Sequence, residues 1–247
     1  DYQSFHYPTW ANPYIPAEEI EEARRTLPER IFRQEYGAEF IEEGGSVFTN
    51  VRELAVGREE EPRPDKQYVI GVDWAKHQDY TVFIVMDTEG KVVKIERMGR
   101  VDYEFQLKRL RQLADRYKPL AIMAEMNSVG DPLVERLSRE FPYRVEGFLT
   151  TSSSKRELIE DLALAMEQKE ITYPPDPVLI GELEAFEYEI TAAGNIKYRA
   201  PEGNRWHDDC VIALALAYHA SKKYRASRLF RLEWESKPLA ALSRMEF

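Results

Sequence analysis

Apolar and polar positions follow different patterns on either side of a charged stretch, residues 59–64, which contains two prolines and is interpreted as a linker. Before it, apolar residues at helical spacing predict two short helices, one after Pro16 and one after Pro28. After it, apolar runs joined by short connections predict an antiparallel meander. Its three predicted strands are residues 68–73, 80–86 and 91–98.

The rest of the chain alternates between helical and strand patterns. Amphipathic helices are predicted over 102–117 and 131–141, with strand candidates over 120–124 and 143–149. A capping box beginning at Ser154 predicts the next helix. Further predicted elements are a helical stretch over 178–186, a hairpin of strands 188–191 and 196–199, and an apolar helix over 207–220. This order predicts an α/β fold: a mixed five-stranded sheet flanked by helices, with an additional hairpin.

Composition narrows the class of protein. The 247 residues, 43% of them hydrophobic, suffice for one large domain with an appendage. A single cysteine, Cys210, excludes a disulfide framework and a Cys-based zinc site, and fits a reducing cytosol. No apolar run approaches the ~18 residues of a membrane span, and the polar opening lacks a signal-peptide apolar region, so no membrane partner is expected. The net charge of −10 argues at first sight against nucleic acid.

Carboxylates stand at the ends of three predicted elements. Asp73 closes the first strand, Glu125 closes the fourth, and Asp208 with Asp209 begins the last helix. If the first and fourth strands are neighbours, their acids emerge at one sheet edge. Clustered carboxylates repel each other and favour hard cations such as Mg²⁺ or Mn²⁺, and two such ions ~4 Å apart can hydrolyse a phosphodiester. The simpler alternative is a solvent-facing strand end at Asp73 and a helix-dipole role for the other two aspartates.

Basic residues elsewhere are candidates for phosphate contacts. Lys155 begins a predicted helix, where the dipole disfavours a cation unless an anion is nearby. Lys197, Arg199 and Arg205 lie on and after the hairpin, where they either meet a phosphate backbone or form a solvated face. The sequence contains no GxxxxGK[ST] phosphate loop, so this chain is not itself a P-loop ATPase.

Several short motifs occur in order over about residues 68–220. They are Gly-Val-Asp-Trp-Ala at 71–75, Asp-Tyr-Thr-Val at 79–82, Ala-Glu at 124–125 followed by Asn127 and Gly130, the Ser/Thr-rich loop with a lysine at 150–155, and the acidic helix start at 207–215. Together they resemble the nuclease domain of phage terminase large subunits. The front segment, especially 32–36 through 47–48, resembles the linker that precedes that domain. The resemblance implies an RNase H-like fold and a two-metal endonuclease that cuts concatemeric double-stranded viral DNA during packaging, in the cytoplasm of the infected host.

The resemblance also implies roles for particular residues. Asp73, Glu125 and either Asp208 or Asp209 would hold the metal ions, and the pattern does not choose between the last two. Asp79 and Lys155 would support these ligands or contact a DNA phosphate. The implied partners are double-stranded DNA, an ATPase domain in a longer chain, the portal protein and the small terminase subunit, whereas the isolated domain is expected to be monomeric. The expected divisions are a linker over 1–65, the nuclease domain over 66–220 and a basic tail over 221–247.

Three other functions use some of the same features. A junction resolvase or transposase has a similar carboxylate set. A phosphotransferase of the actin and sugar-kinase fold also starts its first hairpin from an aspartate, but its phosphate turn is rich in glycine, which residues 74–77 lack. A non-catalytic docking module would use the basic tail to reach a partner such as the portal.

The charge distribution weakens the objection to DNA. Residues 1–65 hold 15 acidic and 7 basic side chains, whereas 66–220 carry a net charge of only −6. Some of those acids are the ones that a metal cluster requires, and two divalent ions would offset them locally. The isolated chain is therefore expected to bind DNA weakly.

Overall fold

The computed structural model describes residues 5–39, 44–74, 80–99, 101–126, 130–191, 196–201 and 207–235, with the backbone alone for 130–133 and 227–235. The helices are α1 (Ala17–Thr26), α2 (Glu29–Glu35), α3 (Val51–Leu54), α4 (Tyr103–Tyr117), α5 (Gly130–Glu140), α6 (Ser152–Glu167), α7 (Pro177–Ala185) and α8 (Asp209–Glu235). The strands are β1 (Gly44–Ser46), β2 (Tyr68–Asp73), β3 (Tyr80–Asp87), β4 (Val92–Gly99), β5 (Ala121–Met126), β6 (Val145–Leu149), β7 (Glu187–Ile190) and β8 (Ile196–Arg199).

A mixed five-stranded sheet forms the centre, in the order β4-β3-β2-β5-β6. Strands β2, β3 and β4 form the predicted antiparallel meander. Strands β5 and β6 then continue the sheet in parallel with β2. Each is preceded by a helix, as a parallel crossover requires. The predicted α/β fold is confirmed.

Alternation along the strands produces two apolar faces. On β3, Val82, Ile84 and Met86 lie in the same apolar cluster as α6, α7 and α8. Phe83 and Val85 belong to the opposite cluster, which includes side chains of α4 and α5. Both faces of β3 are therefore buried, which explains its nearly continuous run of apolar residues.

Helix α8 lies very close to β2 at Gly71. A Cβ atom at this position would be 2.2 Å from the carbonyl oxygen of Ala213 and 2.4 Å from the amide nitrogen of Ala217. Glycine on the strand and alanine on the helix thus permit near contact between the two backbones. This contact fixes the start of α8 relative to Asp73, two residues beyond Gly71.

The predicted hairpin is part of a three-stranded sheet, in the order β1-β7-β8. Strand β1, Gly-Gly-Ser, pairs with β7 through its backbone, with Gly45 opposite Tyr188. No apolar alternation marks β1 in the sequence, and glycine is depleted in strands, so its pairing was not predicted.

Two helix boundaries differ from the prediction. Helix α6 begins about one turn earlier, with Thr151 as its N-cap and Ser154 as the third residue of the capping box. The predicted N-cap at Ser154 is wrong because two hydroxyl residues, one turn apart, compete for that role. Helix α8 continues to Glu235, past the predicted end at 220, and residues 221–235 contain neither glycine nor proline to stop it.

The flanking segments pack closely on this fold. Val51 and Leu54 of α3, within the predicted linker division over 1–65, lie in the same apolar cluster as α8. Residues 65 and 220 remain predicted domain limits. None of the helices in the described part of the chain is long and apolar enough to cross a membrane.

Candidate metal centre

Strand pairing brings Asp73 and Glu125 side by side. Strands β2 and β5 are parallel neighbours in which Val72 lies opposite Ala124, so the next residue of each strand is an acid. Asp73 is buried, with 7% of its surface exposed. The two carboxyl groups are within hydrogen-bond reach of each other. The sheet edge expected from the sequence therefore carries a carboxylate pair.

The start of α8 brings two further acids to the same place. Burial, together with the charges of Glu125, Asp209 and Asp208, raises the pKa of Asp73 well above its usual range. The Asp73–Glu125 hydrogen bond also favours a proton on Asp73. Four carboxylates from three elements thus interact through space, in a setting where a divalent cation would replace a proton.

Asp208 and Asp209 occupy different environments. The carboxylate of Asp209 accepts a hydrogen bond from the Tyr80 amide at 3.3 Å and lies 3.7 Å from His207 Nδ1. Its side chain is 10% exposed, whereas that of Asp208 is 32% exposed. The Asp208 backbone carbonyl accepts the Ile212 amide, which closes the first turn of α8. Asp209 is therefore tied to β3, and Asp208 lies nearer the solvent.

Lys155 pairs with the more exposed aspartate. Its ammonium lies 2.9 Å from Asp208 Oδ2. A lysine in the first turn of α6 opposes the helix dipole, and the carboxylate from α8 offsets that cost. Lys155, which was predicted to contact a phosphate, thus forms an ion pair with Asp208, a predicted metal ligand.

A buried glutamate behind the cluster was not predicted. Glu182 of α7 is 5% exposed and accepts the Cys210 amide, in the first turn of α8, at 2.7 Å. Burial raises its pKa to about 7, and the charge of Asp209 adds to the rise. Arg97 lies 3.9 Å from Glu182 and stacks 3.2 Å from the centre of the Tyr80 ring. Glu182 and Glu184 are the two charges in the otherwise apolar sequence of α7, and no local signal marks Glu182 as the buried one.

The donor set suits a hard divalent cation. Mg²⁺ and Mn²⁺ prefer oxygen ligands, which all four acids supply. The hydrogen bond between Asp73 and Glu125 requires a proton at a place where a cation would also be stabilised. Within the described residues, no three His, Cys, Asp or Glu side chains already form a ligand cage. The residues therefore have the chemistry that the ion requires. To complete the site, Asp208 would exchange its ion pair with Lys155 for a metal ion.

A groove of about 890 Å³ lies between the start of α6 and the hairpin. Hydroxyl side chains of residues 150–153 line it together with four basic residues: Lys155, Arg156, Lys197 and Arg199. Lys197 is exposed, whereas Arg199 forms an ion pair with Glu189 at 2.8 Å. Three of the predicted phosphate contacts therefore share one groove. The other two predicted residues, Asp79 and Arg205, lie outside the described residues.

The sequence profile of the terminase RNaseH-like domain family matches residues 70–221. The chain belongs to this family. The match covers the region from β2 into α8 and includes the four clustered acids. The resemblance to terminase large-subunit nuclease domains, and the RNase H-like fold that it implies, are confirmed.

Terminases of thermophilic phages are among its relatives. The large terminase subunits of Thermus virus P23-45 and Thermus phage G20c are each 38% identical to this chain over 228 residues. The alignment covers 88% of this chain and 47% of each relative, so the chain spans about half the length of these terminases.

Solved terminase nucleases share the architecture. The large terminase nuclease of phage G20c, crystallised with bound magnesium, superposes with a TM-score of 0.64 at 36% identity, covering 70% of this chain and 96% of that one. The same values describe its cobalt-bound crystal structure. That nuclease therefore binds divalent metals on a fold that this terminase domain shares.

Proposed function

We propose that this terminase domain is a metal-dependent endodeoxyribonuclease that cuts double-stranded concatemeric viral DNA during genome packaging. The observation that supports this function is the convergence of Asp73, Glu125, Asp208 and Asp209 from three elements at one end of the sheet. The magnesium-bound G20c nuclease supports Mg²⁺ or Mn²⁺ as the cofactor.

Each acid has a defined task in this proposal. Asp73 and Glu125, fixed by strand register, and Asp208 or Asp209 from α8 would hold the ions. The ions held there would supply an activated water and stabilise the leaving oxygen. The Tyr80 amide and Glu182 orient the start of α8, which keeps Asp209 near the pair. Lys155 neutralises Asp208 until a cation does so, and its ammonium is then available to a phosphate.

The groove beside the cluster would receive the DNA backbone. Lys155, Lys197 and Arg199 are placed along one wall and the hairpin, and hydroxyl groups between them can donate hydrogen bonds to phosphate oxygens. Asp79 and Arg205, which lie outside the described residues, are proposed to assist in binding the metal ions or the DNA backbone. Because the whole chain carries −10, the remainder of the motor would hold the duplex: the ATPase domain, the portal and the small subunit, in the host cytoplasm.

Plasmid nicking in the presence of Mn²⁺ tests the assignment. Asp73→Asn, Glu125→Gln and the double variant Asp208→Asn with Asp209→Asn should each lower the rate by about 100-fold or more, since each removes a charged metal ligand. Asp65→Asn, on an exposed ion pair with Arg63, is the matched control and should cleave at the wild-type rate. Undiminished nicking by all three cluster variants would contradict the proposal.

A stability measurement separates catalysis from folding. Because burial and its acidic neighbours disfavour a charge on Asp73, Asp73→Asn should melt at or above the wild-type temperature. Inactivity with lost stability would indicate a structural role instead. Comparison of substrates provides a further check, since faster cleavage of four-way junctions than of linear duplex would favour a resolvase.

A further inference from the structure

Arg30 of α2 stacks on two tyrosines of the hairpin. Its guanidinium carbon lies 4.2 Å from the centre of the Tyr188 ring and 5.8 Å from that of Tyr198. The two tyrosines face each other across β7 and β8 and are 5% and 4% exposed. One cation from the segment that precedes the nuclease domain thus covers the central pair of the hairpin.

A chain of hydrogen bonds extends from this cation to the groove. Arg30 Nη2 donates to the Tyr198 hydroxyl at 2.6 Å, and that hydroxyl donates to Glu160 Oε1 of α6 at 2.8 Å. The same carboxylate oxygen accepts Arg156 Nε at 2.9 Å. Arg156 lines the groove beside Lys155. Arg30 of the front segment is therefore linked, through Tyr198 and Glu160, to the groove cation Arg156.

The hairpin is small and is held from several sides. Its strands are four residues long, they pair with β1, and both tyrosines lie in the apolar cluster that includes α6 and α8, to which Arg30 adds its stacking and hydrogen bond. Tyr198 lies between Lys197 and Arg199 on β8, so a shift of the tyrosine carries both cations with it. Holding Tyr198 in place holds the basic edge of the groove.

The front helices join the rest of the chain through several polar contacts. Ile20, Ala23 and Phe32 form a small apolar cluster of their own. Besides the Arg30 bond, the Glu29 amide donates to Glu167 at 2.9 Å, and Gln168 donates to the carbonyl of Arg25 at 2.8 Å. Polar contacts of this kind can be made and broken at lower cost than a buried apolar interface.

We propose that Arg30 is a positioning residue, which clamps the hairpin and Arg156 in their DNA-binding arrangement and so lets the preceding segment control the affinity of the groove for a phosphate backbone. The inference rests on the proposed function for the groove. It adds that this affinity depends on a residue outside the carboxylate cluster, one that meets the groove through the Tyr198 side chain.

The test compares Arg30→Met with Arg33→Met in the same chain. Arg33 is on the same helix and forms an exposed ion pair with Glu39, so its variant controls for loss of one charge. Arg30→Met should raise KM for duplex DNA about fivefold or more, the low end of typical coupling between sites, with kcat within about twofold of wild type. Arg33→Met should leave both unchanged, and Arg30→Lys, which keeps the charge but loses the planar fork, should restore part of the affinity.

Hydrogen exchange reports on the hairpin independently of cleavage. Amides of 187–190 and 196–199 should exchange faster in Arg30→Met than in Arg33→Met, whereas those of the five-stranded sheet should be unchanged. Unchanged hairpin exchange would overturn the clamp. Faster exchange with an unaltered KM would overturn its link to DNA binding, leaving a structural contact only.

Binding without cleavage separates this inference from the proposed function. Fluorescence anisotropy of a labelled duplex can be measured on Arg30→Met and Arg33→Met in an Asp73→Asn background. If the wild-type chain fails to nick DNA, the nuclease proposal fails, while a weaker duplex affinity for Arg30→Met still supports the clamp. Equal affinities of the two variants would overturn it in either case.

Discussion

Replacing Gly71 with alanine should displace α8 and weaken the site without altering a carboxylate. The new Cβ would lie 2.2 Å from the Ala213 oxygen and 2.4 Å from the Ala217 nitrogen, and both atoms belong to backbone. Restoring ordinary contact requires the helix or strand to move by about 1 Å, a kind of overpacking that typically costs about 1–3 kcal/mol. For a chain of this size, that corresponds to a fall in Tm of roughly 2–12 °C.

The same displacement moves the start of α8 relative to Asp73. A misplacement of about 1 Å at a reacting centre can lower a rate by about 100-fold, so nicking with Mn²⁺ should fall more than stability alone explains. Urea unfolding followed by circular dichroism gives the stability, and nicking is measured well below the midpoint.

Gly181 provides the matched control. It lies inside α7, and a Cβ there would meet nothing within 4 Å. Gly181→Ala should therefore stabilise the chain by about 0.5–1 kcal/mol, through helix propensity. If Gly71→Ala were as stable and as active as Gly181→Ala, the close approach of α8 to β2 would be refuted.

Three further predictions concern single side chains. Burial lowers the pKa of His219, so the unfolded chain binds a proton at this imidazole more readily than the folded chain does. The free energy of unfolding should therefore fall as pH drops below about 6.5, and His219→Phe should reduce this pH dependence in urea titrations. Lys155→Met should tighten Mn²⁺ binding in calorimetry, because Asp208 loses its competing cation, while duplex binding weakens; looser Mn²⁺ binding would contradict the pairing. Cys210 is 1% exposed and burial raises the pKa of its thiol, so it should react with a thiol reagent only after unfolding, and rapid labelling of the native chain would be inconsistent with this burial.

The central sheet and its acids were predictable because each is marked by a local pattern. Apolar runs ending in Asp73 and Glu125 predicted strands, and the parallel pairing of β2 and β5 then made the acids neighbours. The aspartates at 208 and 209 were marked by the apolar helix that follows them. Periodicity within single elements was sufficient for these features.

The supporting contacts were not predictable in the same way. Gly45 pairs with Tyr188, and Arg30 meets Tyr198, across more than 140 residues of sequence. Such contacts depend on how helices and strands pack against each other after they have formed. Neither a glycine-rich segment nor an isolated arginine carries a periodic signal that would predict them. Glu182 is similar, since only the folded arrangement shows that its carboxylate meets the first turn of α8.

The parallel register of β2 and β5 has a consequence for how this chain can change in length. Because Val72 pairs with Ala124, the distance between the two acids depends on strand alignment and not on the roughly 50 residues that connect them. Insertions in the exposed connections should leave the acids adjacent. Deletion of one residue inside β5 would exchange the two faces of the strand and point Glu125 away from its partner. The spacing of the two acids is thus insensitive to the length of the connecting loops and sensitive to a one-residue change in strand register.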